Sequence, residues 1–110
     1  MAKSVRGLDD IIARETIVGK RADGSSVTIT VEIGRPFPWG DVSPTEWACA
    51  FRVDPLHTSD AHGEGSLQAL CLALQMVRSQ LNHFEAEGGT LIYETGEKFL
   101  LTAFWSAEPY

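Results

Sequence analysis

The densest group of chemistry-bearing side chains sits in one short polar passage, LHTSDAHGEG, where His57, Asp60, His62 and Glu64 follow one another. Imidazole and carboxylate are the donors that zinc and related divalent ions take up, so His57 and His62 are the candidate metal ligands. Their spacing matches neither HExxH nor the EF-hand loop. Short polar loops also collect these residue types without a metal, so no metal centre and no cofactor is expected. A second chemistry is offered by Cys49 and Cys71, which share the chain with three histidines. A thiol acts as a nucleophile only as thiolate, and an apolar setting raises its pKa. Both cysteines lie in apolar segments without a CxxC motif, so reduced core thiols are the first expectation. A disulfide between them stays open, because the strand and helix that carry them should pack together.

A third group comes from Arg35–Thr45, RPFPWGDVSPT, which contains three of the five prolines. Proline neither donates to a strand ladder nor sits within a helix, so this stretch is expected to be a loop. Arg35 and Trp39, with Arg14 as an anion partner, are the candidate ligand-binding residues where the loop meets the sheet edge. The competing reading is that Phe37 and Trp39 fold back to cap a small core. Asp9-Asp10 and the pair Glu85 and Glu87 are carboxylates of a terminus and a helix end, where solvation is their ordinary state. The chain carries no P-loop, no GxGxxG and no GxSxG, and no catalytic residue is assigned.

The totals narrow the partners. The 110 residues carry nine Lys and Arg against 15 Asp and Glu, a formal charge of −6. Such a surface repels nucleic acid and anionic membranes unless its few cations are gathered on one face. No apolar run approaches the roughly 20 residues of a membrane span, and Met1–Asp10 lacks the apolar stretch of a signal peptide. A cytoplasmic protein is therefore expected, folded as one domain over 1–110 with 1–10 as a loose lead-in. A chain of this length buries roughly two-thirds of its unfolded surface, enough for a real core.

Periodicity supplies the elements that must position these groups. Ile11–Lys20 reads as a strand in which the facing of Arg14 and Glu15 is ambiguous. Asp23-Gly24 is a turn signal, because glycine tolerates the positive φ that tight hairpins use. Val27, Ile29, Val31 and Ile33 alternate with polar residues in Ser25–Gly34, as do Trp47, Cys49, Phe51 and Val53 in Glu46–Asp54. Alternation of this kind marks an antiparallel sheet covered on one side. Ser66–Glu87 carries Leu67, Leu70, Leu74, Val77, Leu81 and Phe84 at helical spacing. This stripe, widened by Cys71 and Ala73, is expected to face the sheet, with Ser66 as N-cap and Gly88-Gly89 as the stop. Thr90–Glu94 and Lys98–Trp105 suggest a closing hairpin, followed by a short tail at Ser106–Tyr110. The expected fold is α+β: an antiparallel sheet of about five strands wrapped around one long helix, in the order β-β-β-α-β-β.

Ala69, Leu72 and Met76 fall outside the stripe, on the back of the helix. Leaving large apolar side chains wet forgoes about 1.5–3 kcal/mol each, so this patch is the candidate interface, for a homodimer or for cover by a terminal segment.

Several motifs together carry a resemblance. They are Ile12-Ala13-Arg14, Asp23-Gly24, Ile33-Gly34-Arg35-Pro36 and Trp47-Ala48-Cys49-Ala50-Phe51-Arg52-Val53, then Gly63, Gln68-Ala69-Leu70, Leu72-Ala73-Leu74-Gln75 and Arg78. Over Ile12–Leu81 the chain resembles a family of small bacterial domains of unknown function. It departs from that pattern at Gly65, where an acid is expected ahead of the helix. The resemblance implies no catalytic residue and no ligand. The functional expectation is a non-enzymatic protein-interaction module, a small acidic partner of a basic protein. The alternatives are a small-ligand domain using loop 35–45 and an uncharacterised enzyme using His57 or His62.

Overall fold

A computed structural model describes residues 6–40 and 45–105. The tail expected at Ser106–Tyr110, the first half of the expected lead-in and residues 41–44 of the Pro-rich stretch lie outside the described residues. Strands β1 (Ile11–Lys20) and β2 (Ser26–Gly34) form the expected hairpin, in which Ile17 stands opposite Ile29. Its turn is closed by Arg21 N–H donating to the Ser25 carbonyl at 2.8 Å and Gly24 N–H donating to the Arg21 carbonyl at 3.0 Å. Asp23 Oδ1 accepts from both the amide and the hydroxyl of Ser25, an Asx arrangement that holds the turn without help from the core.

Strands β3 (Phe37–Pro38), β4 (Trp47–Asp54) and β5 (His57–Gly63) follow, then helix α1 (Ser66–Ala86) and strand β6 (Thr90–Tyr93). All pairings are antiparallel. β5 occupies one edge of β4 along Trp47–Val53. A strand has only two edges, so β2 and the short β3 share the other: Ile33 pairs with Phe51, and Phe37 with Ala48. Across the sheet the order is β5, β4, then β2 with β3 in line, β1 and β6.

The class is α+β, a six-stranded antiparallel sheet with one long helix, with five strands before the helix and one after it. Three details differ from the expected β-β-β-α-β-β order. Phe37–Pro38 pairs as a strand inside the expected loop, which is possible because proline sits at a sheet position where its missing N–H is tolerated. The polar passage after Pro55 is strand β5, joined to β4 by a turn with Leu56 N–H on the Val53 carbonyl and a cis Asp54–Pro55 peptide; cis proline occupies the third position of such type VI turns. The expected last strand is reduced to a single bridge, Ile92 with Lys98, followed by a 3₁₀ turn at Leu101–Ala103.

The helix lies over β4 and β5 rather than over the middle of the sheet. Its buried residues are Ala69, Ala73, Val77, Leu81 and Phe84, which corrects the expected stripe. Leu67 is 73% exposed and Cys71 is exposed, whereas Ala69 is fully buried. The close approach of helix to strand selects alanine: a Cβ added at Gly63 on β5 would strike the Ala69 amide. Ser66 is the first helical residue and Gly65 precedes it without a side-chain cap, while Gln68 Oε1 takes the Glu64 amide at 2.6 Å. At the other end Gly88 N–H donates to the Glu85 carbonyl and Gly89 N–H to that of Phe84. With Gly88 at φ +93°, this is a Schellman stop.

Residues directly opposite in register share a face. The face beneath the helix carries Ile17, Ile29, Ile33, Phe51, Val53 and Cys49, which pack with Val77, Leu81, Leu91 and Phe99 into one core. On the opposite face Ala48 and Ala50 are also fully buried. There the backbone near Gly7 crosses so closely that a Cβ at Gly34 would fall on the Gly7 carbonyl. Glycine at 34 is therefore what lets the N-terminal segment lie on the sheet. Among the described residues no helix is long and apolar enough to cross a membrane.

Candidate functional site

The face of the sheet turned away from α1 gathers most of the side chains singled out above, in two separate rows. In the first, Arg14, Glu32 and Arg52 stand side by side on β1, β2 and β4. Glu32 Oε2 accepts from Nε and Nη2 of Arg14 at 2.9 and 2.6 Å, and Oε1 accepts from the same pair of atoms of Arg52 at the same distances. The hydrogen bonds from Arg14 and then Arg52 hold the Glu32 carboxyl below the usual carboxylate range, against the opposing effect of burial. Arg14 is thus engaged by a buried carboxylate of its own chain.

The second row surrounds His62. Its Nδ1 lies 3.0 Å from Glu46 Oε2 and its Nε2 3.1 Å from Asp60 Oδ1. Contact of both ring nitrogens with carboxylates suits the imidazolium, which donates from both. Glu46 first, and then Asp60, raise the His62 pKa above the ordinary imidazole value. Trp39 meets the His62 ring edge-on at 4.7 Å, Phe37 lies 6.1 Å from Trp39, and the Arg6 guanidinium sits over both aromatic rings. Trp39 therefore packs back onto the sheet.

Arg35 belongs to neither row. Its Nε donates to Asp10 Oδ2 at 2.6 Å, in a pair exposed on both sides. The three residues expected to form one ligand site are thereby divided among three groups.

The proposed metal ligands are divided too. His57 and His62 are five residues apart on β5, so they point to opposite faces. His57 stands beside Phe51 on the helix side, whereas His62 belongs to the far side. Among the described residues no group of three or more His, Cys, Asp or Glu side chains is arranged to hold a metal ion.

The two thiols part company as well. Cys49 is buried, its Sγ 3.4 Å from the Gly34 carbonyl, and burial pushes its pKa up to about 11. Cys71 is exposed on the helix, which corrects the expectation of a second core thiol; both cysteines are free, so the disulfide left open above is not formed. The interface patch loses its first residue: Ala69 is in the core, Leu72 is half-buried against the core and Met76 is 37% exposed.

What the sequence did not disclose is a cleft on the helix side. Because α1 lies mainly over β4 and β5, the inner face of β1 and β2 is covered partly by helix side chains such as Phe84 and Leu81 and partly by the segment after β6. Between them lies an apolar cleft of about 240 Å³. Leu74, Val77 and Leu81 of the helix form one wall, Val31 and Ile33 the floor, and Phe99, Phe104 and Trp105 the other wall. Phe99 and Phe104 stack at 4.9 Å, and Phe104 remains half exposed at the mouth. Glu15 lines the cleft on the same face as Val31, its register partner. The available signal was parity: Glu15 shares the face of Ile17, and pairing of Ile17 with Ile29 places both inside.

Residues 13–102 match the family described as Domain of unknown function (DUF6968), and the chain belongs to that family. No curated protein and no solved structure matches the chain.

Proposed function

We propose that this DUF6968 chain is a non-enzymatic protein-interaction module, and that the cleft between α1, the β1–β2 hairpin and the segment after β6 receives an anchoring side chain of its partner. The observation that carries this reading is the cleft itself. At about 240 Å³ it falls below the ~300–1,000 Å³ of pockets that enclose a drug-sized ligand. Glu15 is the one charged side chain of its lining that has no partner among the described residues, since Arg14 at its edge is bonded to Glu32, so the several converging polar groups that orient a small substrate are not found there. An open apolar slot of side-chain size is what interface anchors fill.

The groups that would serve chemistry support the same reading. Cys49 is buried with a raised pKa, and an apolar, inaccessible thiol is inert. His62 is held between two carboxylates on the opposite side of the sheet.

The test is a selection of random displayed peptides against the folded chain, followed by measurement on Ala13→Trp. Ala13 is exposed and lines the cleft, so an indole there obstructs the slot without entering the core. Selected peptides are expected to lose affinity for this variant while its amide spectrum stays native-like. Peptides that bind Ala13→Trp unchanged would overturn the reading.

A further inference from the structure

We infer that the anchor entering the cleft is a lysine or arginine side chain of a basic partner, with Glu15 as its counter-ion; this rests on the cleft reading above. Glu15 is half-buried on the inner face of β1, opposite Val31, in a lining that is apolar apart from Glu15 itself and Arg14 at the edge. Its carboxylate makes no hydrogen bond and no ion pair among the described residues. The neighbouring cation is committed elsewhere, because Arg14 is on the opposite parity and bonds Glu32. A half-buried carboxylate without a partner keeps its acceptor sites free for a donor from outside. A cation supplied by a partner would occupy them through a charge-assisted hydrogen bond.

The rest of the cleft suits the body of the same side chain. Lysine and arginine carry aliphatic stems that pack on apolar surface while the head stays near solvent, and Leu74, Val77, Val31 and Ile33 offer that surface. Phe104 and Trp105 at the opposite wall present rings to a cation. An acidic side chain would meet Glu15 as a like charge. The charge of −6 extends the preference to the whole partner, accelerating encounter with a basic surface.

The experiment is an amide and indole NMR titration of the labelled chain with three synthetic peptides. They are identical except for arginine, citrulline or norleucine at one central position. Citrulline keeps the shape of arginine without its charge. The arginine peptide is expected to shift the resonances of residues 13–17, 31–33 and the Trp105 indole, and to bind at least about tenfold more tightly than the citrulline peptide. Glu15→Gln should abolish that difference while leaving norleucine binding unchanged. If all three peptides shift the cleft equally in the unaltered chain, the counter-ion role of Glu15 is overturned and the cleft reading stands. If none shifts the cleft, both are overturned. The citrulline comparison in the unaltered chain decides the matter even if Glu15→Gln fails to fold.

Discussion

Glu32 and Arg52 stand directly opposite one another on β2 and β4, and a single oxygen of the carboxylate receives both Nε and Nη2 of the guanidinium. The other oxygen receives Arg14 in the same way. Three strands are thereby joined by one side chain at the level of the sheet surface. Replacing Glu32 with alanine leaves two cations facing each other. The expected loss is about 1–3 kcal/mol in denaturant titration, less than for a fully buried pair because both arginines can rehydrate. The pH dependence follows from the lowered Glu32 pKa. A depressed carboxylate contributes stability that is present above its unfolded pKa and is lost as pH falls through the folded one. The gap between the unaltered chain and Glu32→Gln should therefore be widest at neutral pH and shrink in acid. A constant gap would show that Glu32 acts by shape alone.

His62 gives the opposite dependence. Its pKa is raised, first by Glu46 and then by Asp60, so its contribution is complete below the unfolded histidine pKa and disappears as pH rises through the folded one. An NMR titration of the His62 ring should place its midpoint above the ordinary value. Glu46→Gln should lower that midpoint more than Asp60→Asn does. Equal effects of the two variants would contradict the assigned order.

Thiol accessibility separates the two cysteines. In the folded chain a maleimide or aromatic disulfide reagent should modify Cys71 promptly, while Cys49 waits for unfolding. The Cys49 thiol is buried, with its pKa pushed up to about 11. Cys71→Ser should leave no fast-reacting thiol. Rapid labelling of two thiols in the native chain would contradict the packing around Cys49.

The helix makes a paired prediction that reverses the one drawn from hydrophobic spacing. Leu67→Ala should change stability by less than about 1 kcal/mol, since Leu67 is largely wet. Ala69→Leu should cost about 1–3 kcal/mol, because Ala69 is fully buried where the helix approaches Gly63. Thermal or denaturant unfolding of the two variants checks both.

Gly34 closes the series. Gly34→Ala should destabilise by about 1–3 kcal/mol, because the added carbon meets the Gly7 carbonyl where the N-terminal segment crosses the sheet. Removing residues 1–9 from the same variant should relieve the penalty.

Much of this architecture was readable, and the gaps have physical causes. β2 and β4 announce themselves because each buries one row of large side chains, Val27 to Ile33 and Trp47 to Val53. β5 does not, because its inward row is His57, Ser59, Ala61 and Gly63. Those residues are small or polar where the helix comes close, and hydrophobic alternation cannot register them. The same closeness explains the helix phase: spacing gives weight to Leu67 and little to Ala69, whereas contact distance does the reverse. Lys98–Trp105 has strand-like composition, yet after one bridge at Lys98 the chain leaves the sheet, and its aromatic residues serve as a wall of the cleft. The ligand candidates were individually visible, but their grouping was not, since it depends on the register that pairs Arg14 with Glu32 and places Ala48 beside both Phe37 and His62.

The off-centre position of α1 has a simple origin in widths. A helix is about 10 Å across and neighbouring strands are about 4.8 Å apart, so one helix roofs roughly two strands. This sheet is wider than that, and the strip that the helix side chains do not reach is roofed by the chain that follows β6. The outer wall of the cleft is therefore set by a short peripheral segment, while its inner wall and floor belong to the core. Its shape can be retuned by lengthening, shortening or re-sequencing Leu100–Trp105, leaving Ile17, Ile29, Phe51 and Leu81 untouched.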